Sequence, residues 1–107
     1  MRMKDIEAGD SLICVKIRTS LDFKKIFGQG RFEVPAREGI TLREFLDQLI
    51  RTWGEDLGSR LFHPDDRTVL PHIMLMVNGQ NINFLNRLDT VLHDDDEVLI
   101  LPPVAGG

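Results

Sequence analysis

The sequence predicts an α+β fold: a mixed sheet of four to five strands with one main helix packed on one face. Three observations carry that expectation. Residues 12–19 alternate apolar and polar side chains with the two-residue period of a strand. Thr41-Leu42-Arg43-Glu44 opens a stretch whose apolar residues recur at helical spacing. Two short apolar runs, residues 73–77 and 98–101, come late in the chain, the first followed directly by Asn78-Gly79. Strand, strand, helix, strand, short strand, strand is the order of a sheet that one crossing helix can cover.

Composition bounds the rest. The 107 residues suffice for one core and are read as a single domain, residues 1–107. Hydrophobic content of 42% and charged content of 28% are ordinary for a globular protein. A formal charge of −4 argues against a general affinity for nucleic acid or anionic membrane, and makes a partner with a basic surface plausible. A lone cysteine, Cys14, excludes an internal disulfide framework and any paired-cysteine metal or redox motif; its apolar run marks it as a strand residue. The first residues lack an apolar signal segment and no window approaches membrane-spanning length, so the expected location is cytoplasmic.

Taken in order, residues 1–10 are polar and expected to be loosely ordered. In the first strand Ile13, Val15 and Ile17 share one face, while Leu12, Cys14, Lys16 and Arg18 share the other. Residues 21–30 read as a loop carrying Phe23, Phe27, Gly28 and Gly30. A shorter strand follows at residues 31–34, broken by Pro35, and the two strands make an antiparallel hairpin with a long connection. Thr41 and Glu44 form a capping box, and Leu42, Phe45, Leu46, Leu49, Ile50 and Trp53 form one buried stripe, with Gly54 or Gly58 as the stop. Residues 59–71 read as a polar linker. Its His63, Asp65 and Asp66, with the neighbouring His72, fit no metal-ligand spacing, and no metal site is expected. The run at 73–77 is apolar on both faces and is expected to be central. Asn78-Gly79 suits a tight hairpin into a short strand at 80–83, Leu85 to Leu92 an irregular or one-turn helical passage, and residues 93–97 an acidic turn before the last strand.

The chain then closes on Pro102-Pro103-Val104-Ala105-Gly106-Gly107. Prolines cannot extend a sheet ladder and hold the backbone extended. Glycines leave the terminal carboxylate unobstructed, so it can enter a channel too narrow for any side chain. Residues 102–107 are thus read as a flexible, extended tail presenting a carboxylate. A free α-carboxyl ordinarily titrates at roughly 3.3–3.7, so that of Gly107 is an anion at neutral pH. No Ser/His/Asp set, metal cluster or phosphate-binding glycine loop accompanies it; Gly28-Gln29-Gly30 lacks the rest of a dinucleotide fingerprint.

Val77-Asn78-Gly79, and the run from Leu92 through Glu97-Val98-Leu99-Ile100-Leu101 to Gly106-Gly107, resemble the MoaD/ThiS family of sulfur carriers. The ending is most similar to that of the small subunit of molybdopterin synthase. The resemblance is sharp over residues 73–107 and topological elsewhere. It implies a β-grasp (ubiquitin-like) fold and a carrier rather than an enzyme. It also implies that an E1-like adenylyltransferase of MoeB/ThiF type, using ATP, activates Gly107, after which sulfur replaces AMP to give a thiocarboxylate. Gly106 would give channel access. The carrier would bind no cofactor itself, and the large subunit of molybdopterin synthase or another acceptor enzyme would take the sulfur. One departure is Asp95, where relatives carry glycine in an Asp-Gly-Asp-Glu turn; aspartate tolerates a positive φ better than most residues.

A carrier must dock. If Ile13, Val15, Ile17, Ile73, Leu75, Val77, Val98 and Ile100 face the helix, alternation puts Met74, Met76, Leu99 and Leu101 on the opposite face. These four, with Pro102, Pro103, Val104 and Ala105, are the candidate partner-binding residues. Two arrangements stay open: the patch is uncovered, or the segment bearing Phe23 and Phe27 lies over it. Two other functional classes also stay open: a ubiquitin-like modifier joined to lysines through Gly107, and an interaction module whose Gly-Gly ending is incidental. Within the carrier class, thiamine, cysteine and tRNA-thiolation carriers share the same logic.

Overall fold

The computed structural model describes residues 11–102. Its strands are β1 (Leu12–Thr19), β2 (Arg31–Arg37), β3 (Met74–Val77), β4 (Gln80–Asn81) and β5 (Glu97–Leu101). They form one mixed sheet in the order β2-β1-β5-β3-β4. β1 and β2 pair antiparallel, β1 and β5 lie parallel, and β3 runs antiparallel to both β5 and β4. This is the β-grasp arrangement. The expectations for residues 1–10 and 103–107 lie outside the described residues.

The main helix, α2 (Leu42–Trp53), begins as its sequence predicts. Thr41 Oγ1 accepts the Glu44 N–H at 3.2 Å, and Glu44 Oε1 accepts the Thr41 N–H at 3.0 Å. Leu42, Phe45, Leu46 and Leu49 are fully buried against the inner sheet face, where Val15, Ile17, Val98 and Ile100 are equally shielded. Burying each such side chain contributes about 1.5–3 kcal/mol before entropic costs.

Two further helices correct the sequence reading. Residues 21–27 are not a loop but α1 (Leu21–Phe27), closed by Gly28 at φ 82. Phe23 and Phe27, one helical turn apart, enter the same core as α2, and Phe27 meets Trp53 edge-on at 4.9 Å. They therefore do not cover the outer face. The supposed linker begins inside α3 (Glu55–Leu61), whose Leu57 and Leu61, with Phe62, are buried. Gly54 stops α2, whereas Gly58 lies within α3. A Cβ added at Gly58 would sit 3.3 Å from Ile50 Cγ2, so the small residue lets α3 approach α2.

The strands differ in three details. β2 continues through Pro35 to Arg37 because it is an edge strand. The Pro35 carbonyl accepts from Gln48 Nε2 at 2.8 Å, so Pro35 directs its backbone away from β1 and its missing N–H leaves no ladder bond unmade. β3 is not central; β5 is, and β3 lies between it and β4. β4 spans only Gln80–Asn81, because Ile82–Phe84 turns into a single 3-10 turn. The Asn78-Gly79 hairpin is as expected, with φ of 52 and 83, the left-handed pair a two-residue turn requires.

Candidate functional site

The outer sheet face grades from charged to apolar. On β1 and β2 it carries Lys16, Arg18, Arg31 and Glu33; on β5 and β3 it carries Leu99, Leu101, Met74 and Met76. Met74 pairs directly with Leu101 and Met76 with Leu99, so the four side chains form one contiguous patch. Met74 is 43% exposed, and the other three are half-buried with no helix over them. Their neighbours on the inner face are core: Leu75 is 3% exposed. The Arg18–Glu97 ion pair, 3.6 Å, borders the patch.

The end of β5 is pinned on both sides. Thr19, buried at the end of β1, donates its hydroxyl to the Ile100 carbonyl at 2.6 Å. Leu101 pairs with Met74, and Pro102 is buried, lining a cleft with Phe23, Leu70 and Ile73. The described chain therefore ends, at Pro102, beside the apolar patch. Pro103, Val104, Ala105, Gly106 and Gly107, the remaining candidate residues, lie outside the described residues.

The start of β5 is held by a network the sequence reading did not anticipate. Asn78 donates its backbone N–H to the Glu97 carbonyl at 2.8 Å, and its side-chain Oδ1 accepts the Glu97 N–H at 2.9 Å. The same side chain donates through Nδ2 to Asp96 Oδ1 at 2.8 Å. Asp94 Oδ1 accepts the Cys14 N–H at 2.8 Å, and Asp95 N–H donates to the Cys14 carbonyl at 2.7 Å. The hairpin and the acidic turn thus set the register of β3 against β5, and with it the pairing of the four apolar side chains. An Asn-Gly turn followed by a downstream acidic run was the available signal. Asp95 takes φ 68, the positive value its departure from glycine requires.

Cys14 shares the outer face, and its Sγ–H donates to Glu33 Oε1 at 3.0 Å. That hydrogen bond, then desolvation and the nearby carboxylates, raises its pKa, which keeps the sulfur a thiol rather than a nucleophilic thiolate. His63, Asp65, Asp66 and His72 do not assemble: among the described residues no three metal-capable side chains converge. No described helix is long and apolar enough to cross a membrane.

The sequence model of the ThiS family matches residues 23–107, which include the patch, its supporting network and the Gly-Gly ending. The chain belongs to the ThiS family. A protein of Archaeoglobus fulgidus named as a candidate sulfur carrier is 37% identical over 79 residues, 74% of this chain and 86% of its own. Small archaeal modifier protein 3 of Haloferax volcanii is 30% identical over 93 residues, 87% of this chain and 98% of its own. A Haloferax volcanii protein solved in solution is similar in structure, with a TM-score of 0.77, 28% identity and full coverage of both chains. The first of these relatives is named for carrying sulfur and the second as a modifier.

Proposed function

We propose that this ThiS-family chain is a sulfur carrier whose reactive group is the carboxylate of Gly107. An E1-like partner of MoeB/ThiF type adenylates that carboxylate with ATP; a sulfur atom from a donor then replaces the oxygen that leaves with AMP. The resulting thiocarboxylate passes its sulfur to an acceptor enzyme. A carboxylate is a poor acyl electrophile, and adenylation supplies the leaving group it lacks. The observation that carries this reading is the apolar patch of Met74, Met76, Leu99 and Leu101 at the root of the segment leading to Gly106-Gly107. A face with this much uncovered apolar area beside a reactive terminus suits a chain that docks in turn on an activating enzyme and an acceptor. The pathway we assign is molybdopterin synthesis, on the Pro102-Pro103-Val104-Ala105 ending, with the large subunit of molybdopterin synthase as acceptor.

A second reading, conjugation of Gly107 to lysines, is favoured by the relative named small archaeal modifier protein 3. Intact mass after incubation with ATP, a sulfur donor and an E1-like enzyme tests the first. The carrier gains the difference between sulfur and oxygen, and the gain maps to the Gly107 peptide. A ladder of higher-mass conjugates in cell extract supports the second instead. A chain lacking Gly107 that still supports full sulfur transfer overturns the first.

A further inference from the structure

The outer margin of β2 is closed at one end and open at the other. In an antiparallel ladder successive residues direct their N–H and C=O to alternate sides. Gly30 accepts the Thr19 N–H at 2.8 Å, and the Glu38 N–H donates to the Ser11 carbonyl at 2.9 Å, so the even-numbered residues of β2 face β1. Arg31, Glu33, Pro35 and Arg37 therefore face outward. Pro35 has no N–H and its carbonyl is taken by Gln48, while the Arg37 carbonyl accepts the Ile40 N–H at 3.1 Å. That end is closed to a further strand. At Arg31 and Glu33, among the described residues, nothing meets either N–H or either C=O. Such an edge is a template for strand pairing.

The side chains along the open end carry a charge pattern that the fold leaves unused. Arg31 lies on the outer sheet face with Arg18, a like charge, directly opposite on β1. Arg18 pairs with Glu97, whereas Arg31 has no carboxylate partner among the described residues. Glu33 is exposed on the same face two residues on. Between them Phe32 points to the inner face, half-buried against Phe27 at 5.0 Å and Trp53 at 5.6 Å.

We propose that this edge pairs with a second copy of the chain, antiparallel, about a two-fold axis at Phe32. Arg31 then lies opposite Glu33 of the second copy, and Glu33 opposite its Arg31. Four backbone hydrogen bonds cross the axis and use every open group of Arg31 and Glu33 in both copies. Two cross-strand ion pairs form on the outer face, giving Arg31 the carboxylate it lacks, and the two Phe32 rings meet on the inner face. The neighbouring registers fail. One sets Arg31 against Arg31; the other sets Glu33 against Glu33 and Arg31 against Pro35, which cannot donate. An edge complementary to itself in a single register is the mark of a two-fold interface. The apolar patch of Met74, Met76, Leu99 and Leu101 takes no part, so the proposal does not depend on the carrier reading. Both patches lie on the same side of the joined sheet and stay uncovered.

An interface this small is of the weak class, so the test reads association at high concentration. Sedimentation equilibrium of the full chain at low salt shows a monomer and dimer with a Kd below about 1 mM. Amide exchange at Arg31 and Glu33 slows as the concentration rises. Arg31→Glu and Glu33→Arg each set like charges across the axis and weaken association about tenfold or more, with the rest of the amide spectrum unchanged. Mixing the two variants makes every cross-axis pair opposite in sign again and restores association, as does combining both substitutions in one chain. A wild-type chain that stays monomeric at about 1 mM overturns the proposal. So does association that the single reversals leave alone, or that neither the mixture nor the combined variant restores. A dimer lost on Met74→Asp but kept by Arg31→Glu also overturns it, by placing the contact on the apolar patch.

Discussion

Replacing Met74 with aspartate separates docking from folding. Met74 is 43% exposed, so a little over half of it is covered. Fully burying a methionine contributes about 1.5–3 kcal/mol, so its loss here costs on the order of 1 kcal/mol. The poor fit of aspartate to a strand adds up to about 1 kcal/mol. A domain of this size is stable by roughly 5–15 kcal/mol and stays folded. Leu75, the next residue, is 3% exposed and faces the core. Leu75→Asp loses about 2–5 kcal/mol of packing and buries an unpaired carboxylate besides, which approaches the whole stability. Urea unfolding read by Trp53 fluorescence makes the comparison, because this lone tryptophan packs against Phe27 and Phe32. Met74→Asp lowers the midpoint by about 1 M, and Leu75→Asp abolishes the transition. With the activating enzyme, Met74→Asp and Leu99→Asp raise the KM for the carrier about tenfold or more and leave kcat unchanged. If Met74→Asp unfolds as Leu75→Asp does, the patch is core. If neither outer-face variant moves KM, the patch is not where the enzyme docks.

Asp95→Gly relieves a left-handed φ at the cost of a freer unfolded chain, so thermal stability is unchanged or rises by up to about 1 kcal/mol, whereas Asp95→Val loses about 1–2 kcal/mol. The hydrogen bond from the Thr41 N–H holds Glu44 below its ordinary 4.5, and the Thr68 hydroxyl holds Asp66 below 3.8. Both carboxylates therefore contribute stability that is present above those values and lost as the pH falls through the lower, folded-state ones. Urea midpoints across that window show wild type exceeding Glu44→Gln near pH 7, with the gap closing in acid; a constant gap contradicts the capping role. Glu33→Ala removes the acceptor of the Cys14 thiol and the adjacent charge, so Cys14 reacts faster with a thiol-specific alkylating reagent near pH 8; an unchanged rate removes Glu33 as the cause.

The parts of the fold that alternate or cap announce themselves. β1, the Thr41–Glu44 box, the Asn78-Gly79 turn and the two faces of β3 and β5 all follow from local rules that their tertiary setting reinforces. The two short helices do not. α1 and α3 are only seven residues each, too short for a helical period to stand out, and Gly58 and Ser59 lower the propensity of α3 further. They are helical because the core receives Phe23, Phe27, Leu57 and Leu61, which is a tertiary cause. Pro35 misleads for the same kind of reason, since its effect depends on which side of the strand its missing N–H would face. Of the candidate site, the identity of the outer-face residues was legible from period alone. The ties from Asn78 to Asp96 and Glu97 were not, because they span a separation that only the sheet order closes.

Under the proposed carrier reading, buried Pro102 makes the apolar face a ruler. Covalent geometry allows the five residues after it at most about 17 Å of reach. Any enzyme that grips the patch and works on Gly107 must hold its reacting atoms within that radius of the sheet's end. An enzyme that recognises the patch but keeps its catalytic centre deeper leaves the carboxylate untouched. Lengthening or shortening the segment by one glycine would change which partners can act without altering a single docking contact.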